Sequence, residues 1–518
     1  MTAARFFARL ALVYVVTVTL IVLAISPYFS AGWDPQIFAG VGRAVIDNNS
    51  VFDLYQVSRQ AWGDWGFPYP PLYPHLLAPF MGMTSLVPVL PDWLIVRALP
   101  VMFDLALALL LYLIVLRRSG KQSLARLAAA LWLFNPLTLY QTAIQAHQES
   151  SWLVCVVAAY ALIEARRQAI HRRSEPCNWL TTNLVLPSLL MACAVTLKQS
   201  AILFYIPYGV FLLLDQQRRW ARLCVAALLF VLVFGGLSLP YYLHSPDFFY
   251  LVFVDVSNMP VQTQSAVVWL LGLSRYLIDQ TQSTFFLLKY QTVITIALAV
   301  LVSFFALRHD KDMFRVGLLV AMIFFLTSKK VMGYHYLLLM PFLLVYALPA
   351  RRFDLVGIAT IAASWIILSP YFAPWAKPGH MPLYAAIGTP NTLLWLWLFV
   401  HVWLRRPALR IGSIDITERL HDGAAVVLAL AIVTAGMILS SLVQPWGGSA
   451  PVVQVVLLFA VLIGSLALAV PAARRTWDAP VRLSAGHVIL AVVLVPIYFA
   501  AFALTTESTR IVEGLLQH

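Results

Sequence analysis

The chain has 518 residues, 61 % of them apolar and 11 % charged, with a mean hydropathy of +0.83 and a net charge of +13. Soluble domains are about 45–50 % apolar and about 25 % charged, so this composition excludes a water-soluble globule. The basic balance alone would suit a polyanionic partner, but its placement along the chain argues against nucleic acid.

The first apolar run, about 8–29, ends in Pro27-Tyr28-Phe29 with no small-residue cleavage site, so it reads as a first span and not as a cleaved signal. Further runs fall near 93–116, 126–144, 150–165, 183–198, 201–215, 222–243, 286–307, 314–328, 336–350, 355–371, 390–404, 424–442, 452–471 and 486–504. Each approaches the ~20 residues that a bilayer-crossing helix needs. With the N-terminus cytoplasmic, 25 of the 35 Lys and Arg fall in alternate short loops, including Arg117, Arg118, Arg166, Arg167, Arg351 and Arg352. Acidic residues divide almost evenly. This is the positive-inside pattern, so the basic pI reports topology. Cys155, Cys193 and Cys224 lie in spans and Cys177 in a cytoplasmic loop, which predicts no disulfide. No metal-spaced Cys/His cluster is present.

Between the first two spans runs a non-cytoplasmic segment, about 30–92, carrying Trp33, Trp62, Trp65, Phe67, Tyr69 and Tyr73. A connection of this length has a structure and a task of its own. Asp34 is a good N-cap and Pro35 suits the first helical position. Ile37, Val41 and Val45 then repeat at helical spacing, predicting an interfacial helix that Asn48-Asn49-Ser50 stops. Phe67-Pro68-Tyr69-Pro70-Pro71-Leu72-Tyr73-Pro74 forbids regular helix until after Pro74. A second interfacial helix is expected from about His75 to Met83. Other non-cytoplasmic segments are expected at 244–285 and 372–389, and the stretch beyond 390 reads as plain apolar spans.

Several residues carry both a chemical and a bland reading. Asp34 is a carboxylate at the outer end of the first span, and also an ordinary helix start. His147 and Glu149, in Ala146-His147-Gln148-Glu149, share a tight outer turn; that turn is equally a polar hairpin with an acid suited to a helix N-terminus. Lys198, Lys329 and Lys330 break the charge bias on the outer side, with His335 nearby. They suit a phosphate at the interface, or snorkelling and anionic lipid. Trp62, Trp65, Tyr69 and Tyr73 suit sugar stacking or an aromatic belt. Asp104, the one acid deep in a span, lies about 10 Å along the axis from Arg97 by the helical rise. That is too far for a simple ion pair and predicts a contact with a neighbouring helix.

Taken in order, the acid after the first span, Tyr69-Pro70-Pro71-Leu72-Tyr73, Asn135-Pro136 in the third span, the His147-x-Glu149 turn and Lys329 to His335 resemble the GT-C fold glycosyltransferases. The similarity is greatest to the bacterial polyprenol-phosphate-mannose-dependent mannosyltransferases, including family 87, over about residues 8–350. Asp34 stands alone where some relatives have Asp-x-Asp or Asp-Glu, and His147-Gln148-Glu149 replaces the more usual His-Asn-Asp or His-Asn-Glu.

The resemblance implies an all-α integral membrane protein, a GT-C bundle of about 13–15 spans with interfacial helices in the first outer loop. It divides the chain into a first span (1–29), that loop (30–92), the rest of an N-terminal core (93–243), a second loop (244–285) and a C-terminal module (286–518). The implied activity is inverting transfer of a sugar, mannose above others, from a polyprenyl-phosphate donor to a lipid-linked or glycan acceptor hydroxyl outside the cytoplasm. Asp34 would be the base, with His147 and Glu149 as a second acid or orienting pair. Lys198, Lys329, Lys330 and His335 would hold the donor phosphate, and Trp62, Trp65, Tyr69 and Tyr73 would contact sugar or acceptor. No cofactor is expected, with a divalent metal as the less favoured alternative, since a monophosphate leaving group needs less neutralisation than a pyrophosphate. The implied partners are the lipid donor, the acceptor and membrane lipid, in a plasma membrane, or the endoplasmic reticulum of a eukaryote. The competing class is a transporter or flippase; against it, the sequence has no internal repeat and no matching pair of Gly/Pro-interrupted spans. A scaffold subunit is a third reading.

Overall fold

A computed structural model describes residues 3–25, 33–47, 51–63, 66–87, 89–172, 184–214, 219–255, 290–328, 331, 333–352, 355–356, 359, 381–405, 410–411 and 414–415. The described chain is almost wholly helical, with one pair of two-residue strands at Arg410–Ile411 and Ile414–Asp415. Among the described residues, four stretches are long and apolar enough to cross a membrane: Ala3–Leu20, Asp92–Ser119, Arg219–His244 and Gln291–His309. Shorter apolar helices, among them Leu186–Leu197, Gln199–Leu214 and Met313–Thr327, pack between them. Leu228, Val231 and Leu232 on Arg219–His244 stand exposed, an outward face that only lipid solvates well. The protein is an integral membrane helical bundle. The expected spans beyond 416, and nearly all of 355–371, lie outside the described residues.

The first span is α1 (Ala3–Ile25). It is followed by α2 (Trp33–Asp47), α3 (Leu54–Trp62) and α4 (Leu72–Leu86). Asp34 therefore sits inside the first turn of α2 and not before it, a shift within the usual scatter of helix ends. The carboxylate remains favoured there by the helix dipole. The expectation that helix waits until after Pro74 is corrected: α4 begins at Leu72. A proline in the first turn costs nothing, because those N–H groups have no partner within the helix. Helix α3 was not anticipated. Its signal is weak, with only Leu54, Tyr55 and Ser58 buried on its inner face.

Helix α2 fits between α3 and α4 because two of its residues lack side chains. A methyl on Gly40 would run into the Trp62 indole, and one on Gly42 into Met81 and Leu77. At its far end Arg43 donates twice to the Asp92 carboxylate, at 2.8 and 2.7 Å, and also to Thr84 at 2.6 Å. Asp92 opens α5 (Asp92–Ile95). The first loop is thus fixed to the start of the second span.

That span continues as α6 (Ala98–Ser119). Gly120, at φ 66°, ends it in the left-handed conformation that glycine adopts without a Cβ penalty. Helix α7 (Gln122–Leu133) packs back along α6. Ala125, Ala128 and Ala129 are fully buried, and such small residues allow the close approach on which helix packing in lipid depends. The expected span 126–144 is interrupted at Asn135-Pro136. There α8 (Pro136–Leu139) passes into a π-helical turn, Tyr140–Ile144. The physical cause is Pro136, which has no N–H to continue the α-helical ladder.

The chain continues through α9 (Glu149–Arg172), α10 (Leu186–Leu197) and α11 (Ile202–Leu214). Next come α12 (Arg219–Phe230), α13 (Gly236–His244) and the short α14 (Pro246–Phe249). Beyond them stand α15 (Gln291–His309), α16 (Met313–Thr327), α17 (Met340–Ala347) and α18 (Met381–Leu404). Helix α18 begins nine residues ahead of the expected 390. At the arginine-rich end of the bundle, Arg118 bridges Glu164 of α9 at 2.6 Å and Asp312 at the start of α16 at 2.9 Å.

Candidate active site

At the opposite end the chain reverses between the π-helical turn and α9. Ala146 there has φ 51°, a left-handed conformation costing an L-residue roughly 1–2 kcal/mol. The next residue's N–H is tied back to the Gln141 carbonyl at 2.9 Å. This reversal turns both His147 and Glu149 inward, where each is almost fully buried.

Glu149, in the first turn of α9, is fully engaged. One carboxylate oxygen accepts from the Lys198 ammonium, and the other accepts from the Trp152 indole N–H at 2.7 Å. His147 Nδ1 lies 3.5 Å from the first of these oxygens. Lys198 reaches Glu149 because α10 ends at Leu197, leaving Lys198 in extended backbone before the next turn of helix. Its Nζ also stands 5.0 Å from the centre of the Tyr69 ring and 4.9 Å from that of Tyr334, two cation–π contacts.

Two aromatic groups complete the wall. The Tyr69 hydroxyl shares a hydrogen bond of 3.1 Å with His147 Nε2. The Tyr334 ring stacks on the His147 imidazole with centres 4.3 Å apart and planes 29° apart. Tyr69 is positioned from both sides: Tyr55 donates to its carbonyl at 2.6 Å, and Gln199 donates to the Pro68 carbonyl at 2.8 Å. The proline-rich segment is therefore a fixed strut.

Asp34 belongs to this group. It lies near enough to Lys198 to favour the charged ammonium, and near enough to Tyr69 and Tyr334 to oppose their ionisation. Burial holds the Lys198 ammonium below its ordinary pKa, with Glu149 and Asp34 opposing that fall. Burial, and then the charges of Lys198 and His335, push His147 well below the usual imidazole range, so it is neutral near pH 7. Unlike buried Glu149, Asp34 is partly accessible. The site thus joins an approachable carboxylate, a buried cation balanced by a buried acid, a neutral imidazole and two tyrosine faces.

The other anticipated residues are placed as follows. His335 is buried beside Tyr334, its ring edge-on to Phe324 at 5.3 Å, and its charge reaches His147. Tyr73 is fully buried in the core, edge-on to Phe38 at 5.5 Å, and offers no face to a ligand. Trp62 is half-buried against Gly40 of α2. Trp65, Lys329 and Lys330 lie outside the described residues, as does Cys177. Arg97 and Asp104 do not pair, as their spacing requires. Arg97 donates to the Ala143 carbonyl at 2.5 Å and to that of Trp93. Asp104 accepts from Tyr14 and from Thr142, each at 2.5 Å.

Sequence reading missed Tyr334 and Trp152. Tyr334 stands directly before His335, and that adjacency is its signal in the sequence; nothing in the sequence marks Trp152 as the partner of Glu149. Among the described residues no group of three or more His, Cys, Asp or Glu is placed to hold a metal.

Residues 67–328, just over half of the chain, match the family model for Glycosyltransferase family 87. No curated protein matches the chain. Among solved structures, the chain is similar to ArnT from Cupriavidus metallidurans in the apo state, at 14 % identity over 98 % of this chain and 78 % of that one, with a TM-score of 0.44. ArnT from the same organism bound to undecaprenyl phosphate gives 15 % identity over 96 % and 77 %, with a TM-score of 0.42.

Proposed function

The chain belongs to glycosyltransferase family 87, and from that membership we propose that it transfers a sugar, mannose, from a polyprenyl-phosphate donor to a lipid-linked or glycan hydroxyl, with inversion, on the non-cytoplasmic face of the membrane. The observation that carries this reading is the grouping of Asp34, partly accessible, with Lys198, Glu149, His147, Tyr69 and Tyr334 at one end of a membrane bundle.

In the proposed reaction the acceptor oxygen attacks the anomeric carbon as its proton passes to the Asp34 carboxylate. The bond from that carbon to the phosphate oxygen breaks, and the electron pair leaves with the polyprenyl phosphate. Base assistance of this kind typically contributes ~10²–10⁴-fold. Asp34 is preferred over Glu149 because it is partly accessible to an incoming acceptor, whereas Glu149 is almost fully buried against Lys198 and Trp152.

Negative charge grows on the departing phosphate, and fixed cations stabilise it without reorganising. Lys198 has three N–H donors, of which Glu149 occupies one. His335, Lys329 and Lys330 are proposed to complete the phosphate site. His147, neutral and held between Tyr69 and Tyr334, orients Glu149 and so Lys198. Tyr69 and Tyr334 offer ring faces for the sugar. No divalent metal enters this mechanism, and loss of activity on chelation with return on adding Mg²⁺ or Mn²⁺ would overturn that part.

The testing experiment supplies membranes of an expressing host with labelled polyprenyl-phosphate-mannose and a panel of lipid and glycan acceptors. Label should move to an acceptor only where this chain is present. Movement of the intact donor across the bilayer without transfer would favour the transporter class instead.

A further inference from the structure

A buried acid outside the proposed chemistry has partners on both sides of the catalytic turn. Asp104, on α6, is almost fully buried. One of its oxygens accepts from the Thr142 hydroxyl at 2.5 Å and from the Tyr14 hydroxyl of α1, also at 2.5 Å. Ser150 and Trp132 also lie close to its carboxyl. Thr142 belongs to the π-helical turn that leads into Ala146-His147-Gln148, and Ser150 follows Glu149 in the first turn of α9. The entry to and the exit from the His147–Glu149 reversal therefore meet at a single carboxylate.

The reversal needs such a tie. Ala146 holds a left-handed conformation without being glycine, and such backbone persists only where its surroundings over-determine it. A π-turn is also a less favoured helical form, often found at functional sites. From the same helix end, Arg97 donates to the carbonyl of Ala143, the residue after Thr142. Two buried ionisable groups of one span thus grip consecutive residues of the turn, although Arg97 and Asp104 do not meet.

We propose that Asp104 is a positioning residue: by accepting from Thr142 and Tyr14, it holds the 141–149 reversal against α1 and α6, so that His147 and Glu149 present Lys198 to the donor. The carboxylate itself touches no substrate and moves no proton. This inference rests on the proposed transferase reading for its activity arm, and on backbone geometry alone for its other arm.

Three variants test it, with two readouts each. Asp104→Asn keeps an oxygen where Oδ2 accepts both hydroxyls, so turnover should stay within about fivefold of the wild type, the scale of one neutral hydrogen bond. Asp104→Leu and the milder Thr142→Val remove the tie, and turnover should fall by roughly 10- to 100-fold, as expected when reacting groups are misplaced by about an ångström. In parallel, amide hydrogen exchange over residues 141–150 should accelerate in Asp104→Leu and Thr142→Val but not in Asp104→Asn. The N–H of His147, bonded to the Gln141 carbonyl, reports the turn directly.

Asp104→Asn losing turnover as fully as Asp104→Leu would overturn the proposal, because the charge would then be needed and not the hydrogen bonds. So would a Thr142→Val protein of low turnover and unchanged exchange. If the wild type transfers no sugar at all, the functional reading falls, while the exchange measurement still decides whether Asp104 holds the turn.

Discussion

The Lys198 ammonium rests on the Glu149 carboxylate, and both groups are almost fully buried. Lys198 comes from the junction of α10 and α11, and Glu149 from the first turn of α9. Breaking a buried pair from one side leaves an uncompensated charge, a cost of ~3–5 kcal/mol. Lys198→Met and Glu149→Gln should each lower the thermal unfolding midpoint in detergent, while the double variant should lose much less than their sum. Additive losses would show that the two do not depend on each other.

His147 gives the site a pH signature. Burial, then Lys198 and His335, hold its folded pKa well below that of the unfolded chain, about 6.5. Below that pH the unfolded chain binds a proton that the folded chain refuses, so this contribution to stability is full above pH ~6.5 and declines as the pH falls. His75, half-buried beside Tyr241, is depressed by burial in the same sense. Melting midpoints between pH 7.5 and 5.5 should fall less steeply in His147→Asn than in the wild type. An unchanged slope would mean that His147 accepts its proton without cost.

Tyr334 separates ring from hydroxyl. Tyr334→Phe keeps the platform stacked on His147, so its turnover should remain within a few-fold of wild type. Tyr334→Leu loses the stack, worth ~0.5–1.5 kcal/mol beyond the area it buries, and should lose up to about tenfold. Equal rates in both variants would remove the ring from the account.

The sequence made the membrane class, most described spans and the interfacial helix α2 legible, because apolar run length and helical periodicity are local properties. It also singled out Asp34, His147, Glu149 and Lys198 separately, each as a polar residue at the same end of a span. What it did not contain was the pairing of Lys198 with Glu149, which depends on how α9 and α10 pack 49 positions apart. The burial of Tyr73 is not legible for a related reason: an aromatic residue beside prolines reads alike whether it faces a cleft or the core. The start of α4 at Leu72 is masked by Pro74, which reads as a helix breaker although in a first turn it leaves no helical hydrogen bond unmade.

Sidedness is tested by labelling. A cysteine at exposed Gln60 of α3 should react with an impermeant thiol reagent in intact cells, and one at exposed Lys121 should not, in a background lacking the native cysteines. This follows from the basic loops at the Arg118 end of the bundle. The reverse pattern would place the Asp34 site in the cytoplasm.

The measurement that bears most directly on the account is the turnover of Asp34→Asn with labelled polyprenyl-phosphate-mannose. Asparagine preserves the size of the side chain and gives up only the ~0.3–1 kcal/mol of a carboxylate in a first helical turn, so expression and donor binding should survive. Turnover should fall by roughly 10²-fold or more, the scale of a lost general base, with the donor KM nearly unchanged. An Asp34→Asn protein with near-normal turnover would contradict the account, reducing Asp34 to a helix-start residue.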